Sequence, residues 1–159
     1  MNEEAKKKLL RKIPYGLYVI GVKSGDEYHG FTGSWLTQAS MKPPMITLGV
    51  REGSHGLEMI KAGKVLTVNF FPKKAKDLVA EFFKPAPKTE GRLAGHKFHT
   101  DITGAPILDE AIGYLECEVK KIIEGHGDHA LVLAEVVEAK VKEDVDSLIM
   151  SDTPWHYGG

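Results

Sequence analysis

The sequence predicts a mainly β fold, an antiparallel β-barrel with two or three short helices. Three observations support this fold class. About seven strand-like segments outnumber the helical ones, turn-like stretches join neighbouring segments as in hairpins, and no strand–helix–strand unit is repeated. Because the chain has 159 residues and no linker-like stretch, we expect a single domain spanning residues 1–159.

Six of the strands are predicted by runs of β-branched and aromatic residues or by apolar residues at alternate positions. In chain order they are 15–22, 28–35, 45–50, 64–71, 114–123 and 130–141. A Ser-Gly-Asp-Glu turn joins the first two, and the polar stretch 124–129 joins the last two, so both pairs are expected to be hairpins. A short edge element is predicted at 106–109. In the strand 114–123, alternation predicts Leu115, Cys117 and Val119 inward and Glu116, Glu118 and Lys120 outward.

Three helices are predicted from capping residues and apolar spacing. Residues 3–12 place acidic residues before basic ones, as the helix dipole favours. Ser54 can cap a helix over 55–62 that Gly63 ends, and residues 75–84 carry apolar side chains at helical spacing. The following stretch, 84–104, shows little periodicity and is predicted to be the longest irregular segment, which is typical of binding or lid elements.

Composition and charge exclude several classes of function. A net charge of −1 and a pI near 6.7 provide no electrostatic basis for binding nucleic acid, and the basic cluster at residues 6–12 is better explained as a solvated helix face. No apolar run is long enough for a membrane span. A single cysteine, Cys117, excludes an intrachain disulfide and fits a reducing cytoplasm. Its place in an alternating strand favours a buried structural thiol.

The stretch from Gly30 to Pro44 concentrates hydrogen-bonding groups as no other segment does. It is expected to begin as a strand and to become irregular before Pro43. A strand end that exposes hydroxyls, an amide and backbone N–H groups beside an indole can hold a flat, polar ligand, and we interpret that ligand as a flavin. The candidate ring and ribityl contacts are Gly33, Ser34, Trp35, Leu36, Thr37, Gln38, Ala39 and Ser40.

A candidate phosphate site follows the strand that ends near Val50. Arg51, Ser54 and His55 combine a guanidinium group, a hydroxyl and the start of a predicted helix, which together suit a phosphate. Simple helix capping explains Ser54 equally well when it is taken alone, and a surface charge explains Arg51.

Seven histidines raise the alternative of a metal site. The pairs His96/His99 and His126/His129, with Asp128, have metal-compatible spacing, but their side chains need not converge, and we predict no metal. The sequence has no HExxH pattern, no nucleophile elbow, and neither a Walker A nor a G-x-G-x-x-G sequence. A nicotinamide cofactor would therefore have to bind at a surface site.

Three segments together resemble the flavin reductase-like, FMN-binding split-barrel family. They are the run Gly33–Ser40 followed by Pro43-Pro44, the segment Arg51–Gly56, and Gly127-Asp128-His129. The tail Trp155–Gly159 is similar to that of the flavoredoxin-type, single-domain members. The resemblance implies a Greek-key split barrel and a homodimer with FMN near its interface. It also implies that residues 33–40 contact the isoalloxazine and ribityl groups and that Arg51, Ser54 and His55 contact the phosphate. His129 would lie on the open flavin face, and Trp155 would be a further cofactor contact.

Two functions follow from this interpretation. The first is an NAD(P)H:flavin oxidoreductase, in which His129 is the catalytic residue that orients the nicotinamide or polarises the flavin. The alternative is a non-enzymatic, FMN-bound electron carrier that passes electrons between redox partner proteins. Both functions use FMN, and only the first uses NAD(P)H as the electron donor. Whether the flavin is a bound cofactor or an exchanging substrate stays open at this point.

Overall fold

The fold is seen in a computed structural model that describes residues 1–159. Eleven strands form the sheet, and three α-helices lie against it. The strands are β1 (Tyr18–Ser24), β2 (Glu27–Gly33), β3 (Leu36–Met41), β4 (Pro44–Arg51), β5 (Val65–Phe70), β6 (Ala86–Thr89), β7 (Arg92–Leu93), β8 (His96–His99), β9 (Ile107–Leu108), β10 (Gly113–Ile123) and β11 (His129–Val141). The helices are α1 (Glu3–Leu10), α2 (His55–Gly63) and α3 (Lys76–Glu81), with 3₁₀ turns at Lys73–Ala75 and Met150–Asp152.

All strand pairs are antiparallel and follow one continuous order, β3-β4-β11-β10-β5-β1-β2-β6-β7-β8-β9. No hydrogen-bonded pair joins β3 to the opposite end, so the sheet curves without closing. This arrangement confirms the predicted mainly β, antiparallel split barrel. None of the three helices has both the length and the apolar composition that a membrane span requires.

The central strand β1 separates two hydrophobic cores. Ile20 and Val22 belong to a core that α2 covers, and Leu57 and Ile60 of that helix are fully buried in it. Val19 points to the other face, into a second core. Because β1 is buried on both faces, its sequence reads as a continuous apolar run.

Helix α2 forms as its sequence predicts. The Ser54 hydroxyl accepts a hydrogen bond from the backbone N–H of Leu57 at 3.2 Å, which caps the helix. The helix ends at Gly63, as expected, but the left-handed residue is Lys64, with φ 59°. Gly63 is needed for packing, because a Cβ there would clash with the backbone carbonyl of Lys23 in β1.

Three local predictions are wrong, and each error has a tertiary cause. Residues 36–41 are strand β3 rather than irregular, because β4 pairs with them. The segment 84–104, predicted irregular, contains β6, β7 and β8, which extend the sheet from β2. Glu116, predicted outward, is fully buried because residues 102–103 cover that face. Its carboxylate accepts hydrogen bonds from the backbone N–H groups of Ile102 and Thr103 and from the Thr103 hydroxyl.

The buried Cys117 confirms the expectation of a structural thiol. Its side chain is fully enclosed in the core beneath α2. Burial, and then the neighbouring charge of Glu116, raises the pKa of the thiol to about 12, which keeps it protonated near neutral pH.

Candidate functional site

The main cavity of the molecule has a volume of about 630 Å³ and lies where β2, the end of β4 and the start of α2 meet the C-terminal tail. We call it the main cavity throughout. Six stretches of the chain supply its walls, and because they are far apart in the sequence, the cavity is assembled by the tertiary fold. The lining residues used below are Phe31, Gly33, Ser34, Arg51, Ser54, His55, Phe82, Phe83, His129, Trp155 and Tyr157.

The polar end of the cavity is built by the connection between β4 and α2. Arg51 is the last residue of β4, and Gly53 takes a left-handed φ of 72° that turns the chain towards the helix. Ser54 then caps α2, and His55 is its first residue. The first N–H groups of a helix have no partners within it, so this end combines a guanidinium group with free backbone donors.

His129 lies beside Arg51, because the two residues are directly opposite each other in the β4–β11 pairing. Its Nδ1 is 2.8 Å from Oδ1 of Asp128, and its Nε2 is 2.8 Å from the hydroxyl oxygen of Tyr157. The hydrogen bond from His129 lowers the pKa of Asp128, so that carboxylate is ionised and can only accept. Nδ1 of His129 therefore donates to Asp128, and Nε2 forms a hydrogen bond with the hydroxyl of Tyr157.

Tyr157 connects the tail to this histidine. Its ring centroid lies 4.9 Å from that of Trp35, and Trp35 in turn lies 4.5 Å from the ring of His129. Burial raises the pKa of the Tyr157 hydroxyl, so the hydroxyl stays protonated and able to donate near neutral pH. The tail thus fixes the orientation of His129 from a position more than twenty residues away along the chain.

Aromatic side chains form another part of the cavity lining. Phe83 packs edge-on against Trp155, with ring centroids 4.9 Å apart, and Phe82 beside it is fully buried in the second core. Phe31 lies against the start of α2, where Gly56 leaves room for its ring, since a Cβ would lie 2.6 Å from it. Flat, apolar surfaces of this kind suit an aromatic ring system.

Sequence reasoning missed four of these residues, namely Phe31, Phe82, Phe83 and Tyr157. The two adjacent phenylalanines were assigned only to the apolar face of a helix, because nothing in their local pattern distinguishes a core contact from a cavity wall. It also missed His29, which lines the cavity, is 2% exposed and has a buried Nδ1 without a partner. Burial, and then the nearby His55, lowers the pKa of His29.

The structure brings together part of the predicted site. Gly33, Ser34, Arg51, Ser54, His55, His129 and Trp155 all line the main cavity. Trp35 lies behind the lining and packs on His129, with its indole N–H buried and unpartnered. Leu36, Thr37, Gln38, Ala39 and Ser40 lie outside the lining, on the edge strand β3. The assignment of all these residues to flavin contacts stays a prediction.

The paired histidines do not converge into a site. His96 lies between two carboxylates, with Nδ1 2.9 Å from Glu110 and Nε2 3.0 Å from Glu81, and His99 bonds to Asp109 at 2.7 Å. His126 is exposed at the tip of the β10–β11 hairpin. No three His, Cys, Asp or Glu side chains come together with the geometry to hold a metal ion.

The comparison with protein families shows to which family the chain belongs. The family model of the flavin reductase like domain matches residues 10–157. The chain belongs to this family. The match covers every segment that lines the main cavity, from β2 to Tyr157 of the tail.

The curated relatives differ widely in the share of their length that this chain covers. The chain is 33% identical over 135 residues to diflavin flavoprotein A 1 of Synechocystis sp., a match that covers 84% of this chain and 23% of that protein. It is 27% identical over 139 residues to the NADH:FMN oxidoreductase of Rhodococcus erythropolis, covering 87% of this chain and 70% of the relative. The chain spans about a quarter of the length of the curated relatives that match it first.

A solved structure supports the same fold. The flavin reductase HpaC, in its complex with NADP+, matches with a TM-score of 0.76 and 23% sequence identity. The match covers 93% of this chain and 97% of that one. At this level of identity, the likeness concerns the fold.

Proposed function

We propose that the protein binds FMN in the main cavity and acts as an NAD(P)H-dependent flavin oxidoreductase, in which hydride passes from a nicotinamide to the flavin. One observation carries the proposal: a single cavity combines an aromatic wall with an end where the Arg51 guanidinium lies in the lining, while the carboxylates of Glu27 and Asp128 lie behind His55 and His129 and outside the lining. Arg51 and four histidines line it, and no Asp or Glu does, although the chain as a whole has a net charge of −1. The names of the reductase relatives point to the same activity.

The residues fit FMN in size and chemistry. A volume of about 630 Å³ lies within the ordinary range for small-molecule sites, roughly 300–1,000 Å³. The aromatic wall suits the isoalloxazine ring, and Arg51 with the N-terminus of α2 suits the phosphate. We further propose that residues 1–159 form one flavin reductase-like domain, because the sheet is continuous and the family match spans 10–157.

The proposed mechanism assigns a task to each part of the site. Bound FMN would supply the hydride-accepting chemistry. Arg51 and the α2 N-terminus would hold its phosphate, while Phe83 and Trp155, packed on each other in the lining, would shield the flavin from water. His129, held by Asp128 and Tyr157, would orient the incoming nicotinamide.

An anaerobic titration tests the activity directly. Purified protein is loaded with FMN and mixed with NADH or with NADPH, and the yellow absorption band is followed. We expect at least one donor to bleach the band within a catalytic timescale. Persistence of the oxidised spectrum with both donors would refute the oxidoreductase proposal.

One observation favours the second candidate, a non-enzymatic electron carrier. Tyr157 already occupies the hydrogen-bonding position at Nε2 of His129, where an incoming nicotinamide would have to approach. A carrier would retain FMN through gel filtration and would be reduced by a redox partner protein but not by NAD(P)H. Fast release of reduced flavin would contradict this alternative.

The proposal extends to assembly and compartment. We propose a homodimer. Strand β3 pairs with β4 on one side only, so its outer edge is free to pair with another chain, and Met41 at its end is 84% exposed. The expected flavin contacts of Leu36 to Ser40 depend on this dimer, because in one chain β3 lies outside the cavity. Gel filtration with light scattering tests the dimer, and a monomeric mass would contradict it.

We also propose a cytoplasmic location, in keeping with the single cysteine.

A further inference from the structure

A second cavity adjoins the main cavity on the far side of the C-terminal tail. Its volume is about 380 Å³, and it lies between the segment after α1, residues 11–15, and the tail. Four residues line both cavities: Met150, Trp155, His156 and Tyr157. The tail is therefore a wall shared by the two cavities. We call the smaller space the second cavity.

The second cavity contains unneutralised positive charge. Arg11 and Lys12 line it, and no Asp or Glu does. Arg11 donates only one hydrogen bond, from Nε to the carbonyl of Gly158 at 3.3 Å, which leaves its two terminal nitrogens without partners. Lys12 has no side-chain partner. By contrast, Lys6 and Lys8 of the preceding helix are paired with Glu3 and Glu4.

An elongated ligand could extend from one space to the other. The hydroxyl of Tyr157 lies 2.8 Å from Nε2 of His129 in the main cavity, while the same residue lines the second cavity. Arg11 bonds to the carbonyl of Gly158, the residue after Tyr157, and Tyr157, Arg11 and Lys12 line the same cavity, so a molecule that extends from His129 past Tyr157 would approach the two cations. Since Arg51 and the α2 N-terminus account for the phosphate of FMN, these two cations remain available for a second anion.

We propose that Arg11 and Lys12 bind the phosphate groups of a nicotinamide dinucleotide whose nicotinamide lies at His129. This inference rests on the proposed function, because it places the electron donor of that reaction. Two different phosphate groups of such a dinucleotide could bind to Arg11 and Lys12. The pyrophosphate is common to NADH and NADPH, whereas the 2′-phosphate belongs to NADPH alone.

The double variant Arg11→Gln/Lys12→Gln tests the proposal, with Lys8→Gln, in the preceding helix α1 and outside the cavity, as the matched control. Binding of NAD+ and of NADP+ to the FMN-loaded protein is measured by isothermal titration calorimetry, followed by KM and kcat for NADH and NADPH. We expect Kd and KM to rise about tenfold or more, with kcat nearly unchanged, since the cations contact only the remote end of the ligand. Lys8→Gln should leave both constants unchanged.

Comparing the loss of affinity for NAD+ with that for NADP+ identifies which phosphate group the two cations bind. Equal losses for NAD+ and NADP+ indicate the pyrophosphate, and a loss confined to NADP+ indicates the 2′-phosphate. Partial recovery of affinity in Arg11→Lys, which keeps the charge, would support a direct electrostatic contact. Both residues are exposed, so circular dichroism should show an unchanged fold.

Two results would overturn the inference. One is an unchanged Kd for both dinucleotides in the double variant, and the other is a wild-type protein that binds neither of them. Failure of the proposed function looks different. A wild-type protein that binds NADP+ through Arg11 and Lys12, but whose flavin is reduced by neither NADPH nor NADH, would refute the oxidoreductase activity and leave the phosphate site standing.

Discussion

The two sides of the main cavity are built in different ways. The polar side, formed by Arg51, Ser54, His55 and His129, comes from a strand end, a helix start and the facing strand. The aromatic side, formed by Phe31, Phe82, Phe83 and Trp155, comes from separate segments that meet mainly through side-chain packing, with one backbone hydrogen bond from the N–H of Thr32 to the carbonyl of Phe82. Backbone hydrogen bonds position most of the polar set, whereas packing between side chains positions most of the aromatic set. Changes on the polar side should therefore affect ligands, and changes on the aromatic side should also affect stability.

The largest effect is expected for Phe82→Ala. Phe82 is fully buried in the second core, and removing such a ring typically costs about 3–5 kcal/mol of unfolding free energy. Its neighbour Phe83 also lines the cavity but is 52% exposed, so Phe83→Ala serves as the matched control and should cost much less. Urea denaturation measures both. Equal losses for the two variants would contradict the division between core and cavity wall.

Arg51→Ala should have the next largest effect, on ligand affinity alone. Loss of a charge-assisted hydrogen bond to the phosphate should weaken FMN binding by roughly 1.5–3 kcal/mol, while the denaturation midpoint stays almost constant. Fluorescence titration with FMN measures the affinity. Arg92→Ala is the control, since Arg92 contacts only the carbonyl of Gly95 and lies outside the cavity. Unchanged FMN affinity would remove Arg51 from the phosphate site.

The variant His129→Ala distinguishes the binding of FMN from its reduction by NAD(P)H. We expect FMN to remain bound and its reduction by NAD(P)H to slow by about tenfold or more, because the nicotinamide loses an orienting contact. Tyr157→Phe, which removes only the hydrogen bond to Nε2, should slow reduction less. Stopped-flow reduction measures both variants. Wild-type rates in His129→Ala would make it a structural residue of the hairpin.

The smallest effect is a pH dependence that arises behind the aromatic side. His96 lies between Glu81 and Glu110 and packs on Phe82, with ring centroids 5.9 Å apart. Burial lowers its pKa, but the hydrogen bonds to Glu110 and Glu81 outweigh burial and leave the pKa raised above 6.5. Only the doubly protonated ring can donate to both carboxylates.

The sign of this dependence follows from the raised pKa. The contribution of His96 to stability is complete below the unfolded value and is lost as pH rises through the folded pKa. As the pH rises through the folded pKa of His96, the melting temperature of the wild type should therefore fall towards that of His96→Gln. His126→Gln, at the exposed hairpin tip, is the control. Parallel melting curves for the wild type and His96→Gln at every pH would exclude the effect.

Much of the secondary structure could be predicted from the sequence, because interactions between residues that are close in the chain determine it. Alternating apolar residues predict the long β10–β11 hairpin, and Ser54 with Gly63 correctly bounds α2. Arg51 was identifiable because it directly follows an alternating strand. The same reasoning failed for Glu116, since alternation reports which side of a strand a residue faces but not what covers that side.

By itself, the sequence determined the antiparallel β framework, the cap of α2 and the polar residues at strand and helix ends. Periodicity and capping depend on neighbours only a few positions apart, so they can be read locally. The tertiary structure alone decided that β3 is an edge strand, that Phe83 packs against Trp155, and that Tyr157 holds His129. These contacts join distant segments, and their geometry depends on how the whole sheet curves around its two cores.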